Sequence, residues 1–314
     1  MGRYVLQRLV LLVPMWAAVA VLTFFIVHAT PGDPAAAFLG QEALFQSKAE
    51  IYHRLGLDKP LYVQLATWVV GAAHGDLGQS FFLGQSVRDA LIQRFPVTFS
   101  LTAVALPIAV AIGVPLGLAA ALHPNNWQDG VTTSVALFGL CVPEFVTGML
   151  LIFFFAVGLR WFPAGGYAPL AAGVGPWLQH LLLPAFALGM LQAGLIARIT
   201  RASMLQVLDS DYVRTARAKG LPARTVLIKH AFRNAVISVV TVVGLAVAVL
   251  MSGAFITETL FELPGVGNLT VAAVLRRDYP VIQGALLLFA TIVLVVNLVV
   301  DVSYSYLNPT ITYS

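Results

Sequence analysis

The chain has 314 residues, 59% of them hydrophobic and only 10% charged, with a formal net charge of +4 and a mean hydropathy of +0.87. A water-soluble domain carries about 25% charged residues, so a soluble enzyme, a nucleic-acid-binding domain and a disordered chain are excluded. An integral membrane protein remains, with lipid and not nucleic acid as its surroundings.

The single cysteine, Cys141, lies in an apolar stretch. It rules out a disulfide within the chain and a cysteine-based metal site. The first uncharged run lies between Arg8 and Asp33, centred on 14–27. It is longer than a signal-peptide core and no small-residue cleavage site follows, so it is predicted to be a retained anchor. The segment 31–95 is polar enough to fold outside the bilayer. It opens on the turn Pro31-Gly32-Asp33-Pro34. Two short helices are predicted, Gly56 ending the first and Asp58 capping the second, with Pro60 in its first turn. Gly75-Asp76-Leu77-Gly78 predicts another turn. This segment is either a docking surface for an external partner or a seal over the outer mouth of the bundle.

The second span is predicted over 98–122 and the third over 132–159, interrupted by Glu144. Residues 160–197 are otherwise uncharged after Arg160, but Pro163, Gly165, Gly166, Pro169, Gly173, Gly175 and Pro176 mark a loop. The fourth span therefore begins near Gln179. The fifth covers 234–257 and the sixth 281–300. Runs of this length are helices, since barrel strands need only about 10 residues of alternating polarity. The predicted fold is an all-α integral membrane protein with six transmembrane helices. The 198–233 loop holds eight Lys and Arg against Asp209 and Asp211, a net +6. The positive-inside bias puts this loop, the N-terminus and the C-terminus on the cytoplasmic side.

Within that loop a short helix is predicted from Asp211 to Lys219. Asp209 and Ser210 are capping types, and Asp211 suits the positive helix start. Arg217 and Lys219 suit the negative end, Gly220 supplies the left-handed C′ position and Pro222 forbids continuation. Ala216 and Ala218 are small enough for another backbone to approach. Such a helix between two spans can act as a lever for a cytosolic partner. The plainer reading is a solvated basic loop that sets topology.

Charges inside spans are functional candidates. Glu144, after Pro143, either faces a wet cavity and a cationic group of a substrate, or is paired beside a helix break. Glu258 and Glu262 flank the outer end of the fifth span, and Pro264-Gly265-Val266-Gly267 beside them is a turn suited to an outer gate. There is no Gly-rich loop ending in Gly-Lys-Ser/Thr, hence no P-loop for ATP. A secondary transporter is the rival of a different class, but internal repeats and a series of buried ionisable groups are missing. An intramembrane hydrolase fits less well, since Ser80 and Ser86 lie in the external segment and His180 has no evident nucleophile. His28, His53 and His74 make no ligand motif, so no metal site is predicted.

Seven ordered segments carry a family resemblance: Pro31-Gly32-Asp33-Pro34-Ala35; Leu55-Gly56-Leu57-Asp58-Lys59-Pro60-Leu61-Tyr62; Asp211-Tyr212-Val213-Arg214-Thr215-Ala216-Arg217-Ala218-Lys219-Gly220-Leu221; His230-Ala231-Phe232-Arg233-Asn234; Leu263-Pro264-Gly265-Val266-Gly267; Arg277-Asp278-Tyr279-Pro280-Val281-Ile282-Gln283; and Asn297-Leu298-Val299-Val300-Asp301. Along nearly its whole length the chain resembles the membrane permease subunit of a binding-protein-dependent ABC importer, from the dipeptide, oligopeptide, nickel and glutathione branch. The resemblance implies the type I importer permease fold in a bacterial plasma (inner) membrane. It implies an N-terminal transmembrane helix over 1–30, an external segment over 31–95, a five-helix core over 96–305 and a cytoplasmic tail over 306–314. It implies a second related permease subunit, two cytosolic ATPase subunits that hold ATP and Mg, and an external solute-binding protein. The chain itself would hold no cofactor and catalyse no reaction. The helix from Asp211 to Leu221 resembles the coupling helix that seats on an ATPase subunit. Of the wider Glu-Ala-Ala, three residues, Gly pattern, only Ala216 and Gly220 are kept. The implied cargo is a di- or oligopeptide, with nickel, glutathione or another small solute as the alternative within the branch.

Overall fold

A computed structural model of the chain describes residues 2–29 and 58–307, with side chains over 8–29 and 58–303. The turn predicted at Pro31-Gly32-Asp33-Pro34 and the helix ending at Gly56 lie outside the described residues. The helices are Gly2–Ala29 (α1), Leu61–Ala73 (α2), Val87–Leu122 (α3), Trp127–Cys141 (α4), Glu144–Leu151 (α5), Val174–Leu208 (α6), Asp211–Ala218 (α7), Arg233–Gly253 (α8), Phe255–Leu260 (α9), Val266–Arg276 (α10) and Tyr279–Leu307 (α11). A π-helical stretch, Ile152–Gly158, continues α5, and another, Val226–Phe232, leads into α8. Among the described residues five helical segments are long and apolar enough to cross a membrane, and α4 with α5 and its π extension is a sharply bent apolar pair that makes a sixth where it is counted as one span.

The break is sharper than the interruption predicted at Glu144. The two halves meet at 97°. Pro143 has no N–H to continue α4 and forces Val142 out of helical geometry, to φ −78° and ψ 120°. Glu144 is then the first residue of the second half. Other limits also move. α6 starts at Val174 and not at Gln179, because Pro176 falls in its first turn, where proline is tolerated. α2 begins after Pro60 with no side-chain cap, so Asp58 does not cap it. Instead Gln64 Nε2 donates to the Lys59 carbonyl at 2.7 Å. The turn at 75–78 is present, with Gly75 and Gly78 at positive φ and the Gly78 N–H bonded to Asp76 Oδ1.

The chain divides into two compact units. One holds residues 99–263 and 296–307. Its centre is α6, 67% of whose apolar window is buried. Small residues let neighbouring backbones approach it. A Cβ on Gly113 of α3 would lie 2.6 Å from the Ala193 carbonyl oxygen, and one on Gly117 2.4 Å from that of Ala197. On α6 itself, a Cβ at Gly194 would lie 2.4 Å from the Ala136 oxygen of α4. Gly113 and Gly117 are four apart on one face of α3, the small-xxx-small spacing of packed membrane helices. The second unit holds residues 2–29, 58–98 and 264–295. There Val87, Ala90 and Leu91 of α3 pack with Val266, Leu269 and Ala273 of α10 and with Val281 and Ala285 of α11. Ala20 of α1, Ala72 of α2 and Leu287 of α11 form a second cluster, and Trp16 Nε1 donates to Thr291 Oγ1 at 3.1 Å.

Gly117→Leu is expected to cost about 3 kcal/mol, because its new Cβ meets backbone that cannot retreat. Gly130→Ala, with nothing within 4 Å of its Cβ, is expected to be neutral or slightly stabilising. Thermal unfolding in detergent reads both, and equal midpoints would overturn the close-approach account.

Candidate functional site

The predicted loop helix is present as α7, with Lys219 as its C-cap. Val213 and Ala216, three apart and so on one face, are buried with Val226 and packed against Val207 and Leu208. Asp211, Tyr212, Arg214, Thr215, Arg217 and Ala218 are exposed, as are Lys219, Gly220 and Leu221. Ala216 therefore serves contact with its own chain, and Ala218 is the small residue turned outward.

The ends of α7 show what holds it. Ser210 occupies the N-cap in extended geometry, but its hydroxyl donates to the Val207 carbonyl and makes no capping bond. Asp209 ends α6 and is not the cap. At the other end the Gly220 N–H donates to the Arg217 oxygen at 2.9 Å and the Leu221 N–H to the Ala216 oxygen at 3.4 Å. Gly220 has φ +75°, so the stop is a Schellman motif built on the predicted glycine. Asn234 Nδ2 donates to Tyr212 Oη at 2.9 Å and to the His230 carbonyl at 3.0 Å. α7 is thus tied by hydrogen bonds and apolar contact to the π-helical stretch and to the first turn of α8. Arg214 lies 3.3 Å from Asp211, an exposed pair that contributes little to stability.

The predicted gate residues are dispersed. Glu144 heads α5 and is half-buried where α5 packs against α9. The next residue, Glu258, is fully buried, whereas Glu262 is exposed and takes a left-handed φ of 53°. Pro264, Gly265 and Gly267 belong to the second unit. Gly265 is the N-cap of α10 and Gly267 is buried in its first turn, while the Val266 N–H donates to Thr98 Oγ1 at 2.9 Å. Ser80, weighed above as a nucleophile, hydrogen-bonds Asp278 Oδ2, and its oxygen accepts the N–H of Leu83 at 2.9 Å. Its hydroxyl is part of a structural turn. His28, His74 and His180 each direct Nδ1 at the carbonyl four residues earlier.

One cluster escaped the sequence reading. Asp129, in the first turn of α4, receives Arg201 Nε and Nη2 in a bidentate pair, both at 2.7 Å. The Asn125 N–H at 3.0 Å and the Thr133 hydroxyl at 3.2 Å complete its shell. Asp129 is buried and Arg201 about one-third exposed. The signal was available: an acid at the head of one span and an arginine at the tail of another call for a partner. In the sequence each is one more charge beside an apolar run. Asp129→Leu is expected to cost about 2 kcal/mol, since it strands the guanidinium. The double variant Asp129→Leu/Arg201→Leu is expected to regain at least half of that loss. A double variant no better than the single one, by detergent unfolding, would refute the stranded-charge account.

Two family models match the chain. One, described as binding-protein-dependent transport system inner membrane component, covers residues 113–313. The other, the N-terminal region of such membrane components, covers residues 1–102. A Brucella abortus (strain 2308) protein named as a peptide transport system permease is 42% identical over 100% of both chains. The glutathione transport system permease protein GsiC of Escherichia coli O6:H1 is 43% identical, again over 100% of both. Among solved structures, a chain of the MetNI methionine ABC transporter in an inward-facing crystal form shares the fold, with a TM-score of 0.58 at 16% identity over 69% of this chain and 96% of that one. With its full-length relatives, its type I permease fold and its set of apolar helices, this chain belongs to the inner membrane components of binding-protein-dependent ABC transport systems.

Proposed function

We propose that this chain is the translocation subunit of an importer for di- or oligopeptides, and that α7 transmits the movement of an ATPase partner into the bundle. The anchoring of α7 carries the reading. Its outer face is free and basic, with Arg214, Arg217 and Lys219, while its inner face is locked to the end of α6 and to the start of α8. A push on α7 therefore moves two spans together. Full-length likeness to relatives named for peptide and for glutathione transport supports the cargo class, since glutathione is itself a tripeptide.

In this reading a second permease subunit completes the bundle and an external binding protein delivers solute. Two cytosolic ATPase subunits hold ATP and magnesium. The termini and the 198–233 loop share their side of the membrane. Glu144 and Glu258 are the gate candidates of the first unit, and the turn at Pro264, Gly265 and Gly267 is the gate candidate of the second.

Native mass spectrometry of the tagged chain, gently purified from its own host, tests the assembly. A second permease, two ATPase chains and a peptide-loaded binding protein are expected. A metal on that binding protein would replace the peptide assignment, and a chain that repeatedly stays alone would overturn the importer reading. Ala218→Trp tests the lever, because it blocks the outer face and leaves the packed face intact. It is expected to lower ATP-driven uptake by about tenfold or more, a docking loss of only about 1.4 kcal/mol, with normal membrane insertion. Unchanged uptake would sink the lever.

A further inference from the structure

A crevice of about 240 Å3 lies between α3, α4 and α6, away from α7. Its wall is almost wholly apolar. Arg198, Arg201 and Thr132 border one end, and Leu137, Leu140 and Gly194 line the other. Thr132 to Leu140 is eight residues of α4, or about 12 Å of helix rise. Arg201 is held by Asp129, which fixes this end at the head of α4 and the tail of α6. Arg198 is exposed and has no ion pair among the described residues. Leu137 is 45% exposed and its neighbour Phe138 69%, so the crevice opens on an apolar outer face of α4.

We infer that this crevice binds one anionic phospholipid, with the phosphate on Arg198 and a stretch of acyl chain between Leu137 and Leu140. Three observations select that occupant. An apolar slot bordered at one end by an exposed cation repeats the order of tail and headgroup in a lipid molecule. The free charge is positive, so it complements an anionic headgroup, and basic pockets between membrane helices are recurrent sites for such headgroups. The volume is too small for a partner helix, which is about 10–12 Å across, and suits a single unbranched chain. Burial of each methylene adds to retention. Because Arg201 already satisfies Asp129, the free Arg198 alone supplies the selectivity.

The test uses the full chain in nanodiscs of equimolar phosphatidylglycerol and phosphatidylcholine, released for native mass spectrometry. One tightly retained phosphatidylglycerol is expected. Arg198→Gln is expected to lower the preference for phosphatidylglycerol about fivefold, the weight of one basic side chain at an anionic headgroup. Arg198→Lys is expected to keep it, which separates loss of charge from loss of fold. Arg276→Gln, an exposed cation remote in sequence, is expected to change nothing. Equal retention of both lipids by the unaltered chain, or equal preference in Arg198→Gln, would overturn the proposal. So would inorganic phosphate protecting the chain from unfolding as well as phosphatidylglycerol does. Crosslinking of Leu137→Cys to another permease chain in place of a photoreactive phosphatidylglycerol would assign the face to protein contact and overturn it too.

Discussion

Helices in hydrocarbon gain nothing by hiding apolar surface from one another, because lipid tails are equally apolar. What holds them is close contact, and here that contact is concentrated on α6. Gly113 and Gly117 let α3 reach its backbone, and Gly194 lets α4 do so. At these points even a methyl group would collide with carbonyl oxygen. Closely packed interiors do not deform continuously, so α6 and its neighbours shift as bodies or not at all. The Asp129–Arg201 pair adds a directional lock at one end of the α4–α6 contact. A neutralised pair of this kind is also a tolerable way to keep two charges at a bilayer boundary.

The 198–233 segment extends that stiffness beyond the spans. α6 passes into α7 with little slack, since Asp209 and Ser210 alone separate them. α7 is also tied to α8 by the bond between Asn234 and Tyr212, and to the π-helical stretch before it by the cluster of Val213, Ala216 and Val226. Loops of this length are usually mobile connectors. This one is a small folded body with its own apolar centre, which is what a transmitting element requires. Its basic surface is free to vary with a partner, while its buried face is constrained by the chain itself.

Much of this was legible in the residues. α7 could be placed almost to its ends, because Asp211, Gly220 and Pro222 act through local backbone chemistry that needs no tertiary knowledge. The spans followed from length and polarity. What could not be read was whatever depended on two distant segments meeting. Asp129 and Arg201 are each ordinary span-flanking charges until α4 and α6 lie side by side. Ala216 looked like a docking residue because its size is compatible with either face, and only the contact with Val226 decides which way it points. Ser210 has the right chemistry for a cap, yet its hydroxyl is turned to donate to the Val207 carbonyl and accepts no N–H of α7. The 97° bend at Pro143 shows the same limit: proline announces a break, but the angle is set by what the second half packs against.

The π-helical stretch Val226–Phe232 fixes the angular phase of α8. Each residue of an α-helix advances about 100° around the axis, and wide turns shift that count relative to an uninterrupted helix. A wide turn takes up an extra residue without turning the helix further, so Ala235, Val239 and Val242 keep the azimuth that buries them. The regular turns of α8 have no such slack: an insertion or deletion there rotates every later side chain by about 100° and changes which face of a transmembrane helix meets protein and which meets lipid.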